Sequence, residues 1–189
     1  MTFGNEGNRY VQLSAPLCLL TCSPDVIFNL LIPLLILLHL LTAPYSKVEE
    51  SFNIQATHDI VTYGLPIQNI SSSLQATYDH PTFSGAVPRT FVGALALAGI
   101  SKPILLLTSE SYGQLVVRAV LGLFNAYAIL RWKGKLEKAF GRETGRWYIL
   151  LQAAQFHVIY YASRTLPNMF AFGLSEFACL MLGDCAENL

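Results

Sequence analysis

From Val26 to Tyr45 the chain reads VIFNLLIPLLILLHLLTAPY, without one Asp, Glu, Lys or Arg, and this run limits the possible folds more than any other feature. An α-helix needs about 20 mostly apolar residues to cross a bilayer. Four further stretches are apolar: Phe91–Thr108, Gln114–Trp132, Trp147–Ala162 and Leu166–Gly183. Composition agrees, with 53% of residues apolar or aromatic, 13% charged and a mean hydropathy of +0.44. Soluble domains carry about 25% charged residues. The expectation is an all-α integral membrane protein forming a single membrane domain.

Formal net charge is zero, so no basic field recruits nucleic acid. The placement of charge is more informative. The segment Arg131–Arg146, RWKGKLEKAFGRETGR, sets six cations against Glu137 and Glu143. A short basic loop belongs in the cytosol. Phe91–Thr108 is interrupted by Gly99 and by Ser101-Lys102-Pro103, and a proline and a lysine in mid-span are both costly. That stretch is expected to lie in the interface. The resulting topology is a cytosolic N-terminus over 1–25, a first span over 26–45 and a lumenal loop with interfacial helices over 46–113. A second span over 114–132, a cytosolic loop over 133–146, and spans over 147–162 and 166–183 follow. The N-terminus has a weak signal-peptide look, with Arg9 near Glu6, and the first span reads as an uncleaved anchor. Cys18, Cys22, Cys179 and Cys185 have no histidine at zinc-site spacing, so neither a metal nor another cofactor is expected.

Three polar islands fall on the lumenal side. The first, Ser46–Ile60, follows the first span and holds Lys47, Glu49, Glu50, His58 and Asp59. Ionisable groups at a membrane boundary must be hydrated or paired, so they mark candidate working sites. Ser46-Lys47-Val48-Glu49 also fits a capping box, with Ser46 as N-cap. Successive helical residues point about 100° apart, so only one of Glu49 and Glu50 can face a given cleft. The second island, Thr77–Phe91, is a Pro- and Gly-shaped loop with Asp79, His80 and Arg89. The third, Tyr160–Asn168, carries Arg164. Either arginine can clamp a phosphate with its planar fork, or serve as an interfacial anchor. Asn69-Ile70-Ser71 is an N-glycosylation acceptor pattern. Within the spans only Arg118 sits deep, which argues against a charged transport pathway.

VEESFN followed by QATHD, then YDH and VPRTF, then QFH and SRTLPN, resembles the dolichyl-phosphate-mannose-dependent mannosyltransferases of glycosyltransferase family 22. The likeness runs from about Thr42 to Asn168. It implies the N-terminal part of a GT-C bundle of many membrane helices, in the endoplasmic reticulum membrane, working on its lumenal face. The implied reaction is inverting and metal-independent. Mannose passes from dolichyl-phosphate mannose to a dolichol-pyrophosphate-linked oligosaccharide, through an α-1,6 linkage, with membrane lipids as surroundings. The family's acidic pair falls on Glu49-Glu50, and Glu49 is the favoured base. Arg89 and Arg164 are the expected phosphate contacts, and His58, Asp79 and His80 further substrate contacts. Members of the family are far longer, and the ending LGDCAENL departs from them. A shortened, non-catalytic membrane protein or regulatory subunit of the same pathway is therefore the alternative expectation.

Overall fold

The computed structural model describes residues 24–65, 78, 90–108 and 112–187. Its elements are α1 (Pro24–Thr42), α2 (Val48–Tyr63), α3 (Val92–Leu105), α4 (Gly113–Phe140), α5 (Arg142–Ala154), α6 (Phe156–Tyr161) and α7 (Pro167–Glu187). The described part is all-α, as its apolar runs imply. Asn69, Asp79, His80 and Arg89 lie outside the described residues.

The first apolar run becomes α1, which stops at Thr42 because Pro44 disfavours helical geometry at Ala43 and cannot donate an N–H. Ile32, Ile36 and Leu40 of α1 are buried, while Ile27, Leu30, Leu34, Leu38 and Leu41 form an exposed stripe. A helix apolar on both faces and covered on one suits contact with lipid on the other. Among the described residues two helical stretches are long and apolar enough to cross a membrane, Asp25–Thr42 and Gly113–Phe140. The 14 residues of α3 span about 21 Å, short of the roughly 30 Å hydrocarbon layer. The 28 residues of α4 span about 42 Å, so its basic end projects beyond that layer.

α4 is the central post, touching α1, α3, α5 and α7. One core joins Ile32 and Ile36 to Ala126 and Ile129 of α4, with Ile149, Ile159 and Ala162. Gly122 lets α1 and the α6–α7 linker approach the post. A Cβ there would lie 2.8 Å from Ile36 Cγ2 and 3.1 Å from Ser163 Cβ. A second core packs α2 on α3 through Ala56, Ile60, Tyr78, Ala94 and Ala98. At its rim the Tyr78 hydroxyl donates to the Gly64 carbonyl at 2.7 Å, and burial raises the phenol's pKa. At the other end of the bundle, α4 turns into α5 through Gly141, whose φ of +90° suits glycine alone.

The stretch 147–162, one apolar run in the sequence, is divided between α5 and α6 at Gln155. No proline or glycine marks the division. Around it, the His39 ring meets Phe156 edge-on at 5.2 Å and Tyr160 at 6.1 Å, and Phe156 stacks on Tyr160 at 5.2 Å. The turn thus accompanies an aromatic cluster assembled from two helices.

Candidate active site

Two short linkers meet at one end of the bundle. One, residues 43–47, joins α1 to α2, and the other, residues 162–166, joins α6 to α7. Neither is helical throughout, so their carbonyls need donors from elsewhere. Side chains supply them. Arg118, 1% exposed, donates through Nη1 to the Pro44 carbonyl at 2.6 Å, through Nη2 to Ala43 at 3.3 Å and through Nε to Ser163 at 3.4 Å. Asn125 donates to Ala162 at 2.8 Å and Asn53 to Thr165 at 2.6 Å. Arg118, the deep charge of the expected second span, is therefore a clasp holding the two linkers together.

α2 begins one residue later than the capping pattern suggests. Lys47 is the N-cap, and its backbone N–H donates to Glu50 Oε1 at 3.4 Å, so the reaching acid is Glu50 rather than Glu49. The reason lies 114 residues along the chain. Arg164 Nη1 meets Glu50 Oε1 at 2.6 Å, with both side chains shut away from solvent at 2% and 0% exposure. The same guanidinium donates to the Tyr45 carbonyl at 3.2 Å and to the Tyr160 hydroxyl, and its Cζ lies 4.3 Å from that ring's centroid. Thr165 Oγ1 donates to the Glu50 carbonyl at 3.0 Å. Glu50, Asn53, Thr57 and Ile60 make the buried face of α2, at helical spacing. Removing either partner of a buried ion pair costs about 3–5 kcal/mol, because the other charge is left without compensation.

With Glu50 turned inward, Glu49 is exposed on the neighbouring face. It lines a cleft of about 600 Å³ with Lys47, His157, Tyr161 and Asn168, walled by Val158, Leu166, Met169 and Phe172. Lys47 Nζ donates to the Tyr161 hydroxyl at 3.2 Å and lies 5.2 Å from that ring's centroid. The hydroxyl contact raises the ammonium's pKa. The cleft thus combines a carboxylate, a fixed cation, hydroxyl and amide groups, and an apolar wall. Such a set can take a proton from a hydroxyl, neutralise an anion and hold a lipid tail.

Of the residues singled out in the sequence, Glu49, Glu50 and Arg164 are brought to this end, but only Glu49 lines the cleft. Arg164 lies behind it. His58 is exposed on another face of α2, 3.4 Å from Asp59, and lines a separate cleft of about 310 Å³ with Gln55 and Gln114. Sequence reasoning passed over Lys47, His157, Tyr161 and Asn168 as site residues. Their signal was membership of the motifs, His157 in QFH and Asn168 in SRTLPN, with Lys47 just before VEESFN, since no spacing rule links groups so far apart.

Known proteins resemble this chain at the level of a family. A model of the Alg9-like mannosyltransferase family matches residues 26–186. A Saccharomyces cerevisiae Dol-P-Man:Man(7)GlcNAc(2)-PP-Dol alpha-1,6-mannosyltransferase is 40% identical over 156 residues, 69% of this chain and 27% of the relative. The Arabidopsis thaliana protein of that name is 32% identical over 156 residues, 80% of this chain and 30% of the relative. The one from Drosophila melanogaster is 39% identical over 145 residues, 74% of this chain and 20% of the relative. The chain therefore spans less than a third of the length of these curated relatives. No solved structure matches it.

Proposed function

The chain belongs to the Alg9-like mannosyltransferase family, and from that premise we propose that it carries the proton-accepting end of an α-1,6-mannosyltransferase of the endoplasmic reticulum. The proposed donor is dolichyl-phosphate mannose and the acceptor a dolichol-pyrophosphate-linked oligosaccharide, the substrates in its relatives' names. The proposed setting is a multi-pass GT-C bundle with this end toward the lumen and the basic end toward the cytosol.

In this reading Glu49 accepts the proton of an acceptor mannose hydroxyl. The hydroxyl oxygen bonds to the anomeric carbon of the donor, and the bond from that carbon to the phosphate oxygen breaks. Its electron pair leaves with dolichyl phosphate, whose new charge faces Lys47. The apolar wall of Val158, Met169 and Phe172 is the place for the first isoprenoid units. Glu50 and Arg164 hold the two linkers, and so the cleft, in position from behind. The observation that carries the assignment is the division of labour in the acidic pair: Glu50 is locked to Arg164 at 2.6 Å, and Glu49 is presented to an open cleft.

The test is transfer of labelled mannose in membranes from cells expressing the protein, with a seven-mannose lipid-linked acceptor. Glu49→Gln should lower the rate by about 10²–10⁴-fold, the range for loss of a general base, while the protein remains folded. A rate within a few-fold of the parent removes Glu49 from the role. A folded parent protein that transfers nothing supports the non-catalytic alternative.

A further inference from the structure

The opposite end of α4 holds a feature that the transfer reaction does not use. Six cations gather there, Arg131, Lys133, Lys135, Lys138, Arg142 and Arg146, and two of them, Lys133 and Arg146, meet acids directly. Lys133 Nζ lies 3.0 Å from Glu137 and donates to Asn29 Oδ1 at 2.7 Å. Arg146 spans Asp25 at 3.0 Å and Glu143 at 2.7 Å. Among the described residues no carboxylate pairs with Arg131 or Lys138. Pairing thus neutralises Lys133 and Arg146 toward α1 and α5, while Arg131 and Lys138 stand exposed on the outer side of the post.

Arg131, Gly134, Lys135 and Lys138 recur at i, i+3, i+4 and i+7 on one face of α4. Together with Leu130 they line a notch of about 120 Å³. Its floor is a glycine in mid-helix, where glycine is unfavourable relative to alanine. A Cβ on Gly134 would meet no described atom within 4 Å, so close packing does not account for it. The missing side chain leaves room between the cations. Leu130 stands at the upper edge, where the apolar run of α4 gives way to charge, and the notch extends over about 10 Å of helix, enough to cross a headgroup layer of about 5–8 Å.

We propose that this notch binds the phosphate headgroup of an anionic phospholipid in the leaflet that the basic end faces. Arg131 grips phosphate oxygens with its fork, and Lys138, about two turns further along, adds a second charge. Gly134 admits the headgroup to the helix surface. The lipid is then a structural ligand that fixes the height of α4 in the membrane. The inference does not depend on the transfer chemistry proposed for the other end.

The test is native mass spectrometry and thermal melting of the purified protein in neutral detergent. Phosphatidylinositol, phosphatidylserine, phosphatidylcholine and inorganic phosphate are added separately. Anionic lipid should bind and raise the melting temperature, and phosphatidylcholine should not. Arg131→Gln with Lys138→Gln should weaken binding by about tenfold or more, and Gly134→Leu, which fills the notch while preserving every charge, comparably. Arg142→Gln, a cation off the stripe, should bind as the parent does. Equal loss in Arg142→Gln, or unchanged binding in Gly134→Leu, overturns the site in favour of a diffuse basic field. Stabilisation by inorganic phosphate alone, equal to that by lipid, overturns the assignment to a headgroup.

Discussion

Each end of the bundle contains an arginine–carboxylate pair joining distant parts of the chain, and the two pairs differ in almost every physical consequence. Arg164 and Glu50 meet at 2.6 Å with 2% and 0% of their side chains exposed. Arg146 and Asp25 meet at 3.0 Å with 25% and 37% exposed. The first pair has lost its water and each charge depends on the other. The second keeps much of its hydration, and screening reduces what the contact contributes. The backbone explains the contrast. At the Arg164 end two linkers leave helical geometry side by side, and their freed carbonyls draw Arg118, Arg164, Asn53 and Asn125 inward. At the Arg146 end one glycine turns α4 into α5, and the charges can face water. A buried polar frame fixes a cleft in one case, and a wet charged surface remains adaptable in the other.

The largest expected effect falls on the buried pair. Glu50→Gln or Arg164→Met should destabilise the protein by about 3–5 kcal/mol, read as a lower melting temperature and less folded material. Glu50→Leu combined with Arg164→Met should recover a large part of that loss, because no charge is then left unpaired. Single variants no more harmful than Arg146→Gln would erase the distinction between the two ends. Next in size is Asn53→Ala, which leaves the Thr165 carbonyl buried without its donor and should cost about 1–3 kcal/mol in the same melts. The smallest effects belong to cations that keep contact with water. Arg146→Gln should leave the melting temperature unchanged within error, and added salt should mask any residue of the contact. Lys47→Met sharpens the contrast through pH. A lysine whose folded-state pKa is raised contributes fully below its ordinary value of 10.5 and loses that contribution only as pH climbs through the higher folded value. The slope of stability against pH between about 7 and 9 should therefore match the parent, while binding of donor lipid weakens.

The membrane-helix character of the chain was legible in Val26–Tyr45 and Gln114–Trp132, where length and lack of charge leave few alternatives. The need to hydrate or partner the acidic pair was legible too, since adjacent carboxylates at the mouth of a span are costly otherwise. Which acid has which was not legible. The choice depends on Arg164, and a contact across 114 residues has no periodicity to announce it. The capping pattern beginning at Ser46 pointed to Glu49 for the same reason: it weighed local hydrogen bonds and missed the distant guanidinium. The division at Gln155 was equally hidden, because Leu150 to Tyr161 holds no helix breaker and the turn accompanies aromatic contacts with His39 from another helix.

By itself, the sequence determined that most of this chain becomes helix, that several stretches are apolar enough for lipid, and that charge gathers in separate islands. Those are properties of neighbouring residues, summed over a few turns. Tertiary structure alone decided that Arg118 clasps two linkers and that Glu50 is locked away while Glu49 faces a cleft. Each of these follows from desolvating groups far apart in the chain and satisfying their charges and hydrogen bonds together, which no local pattern encodes.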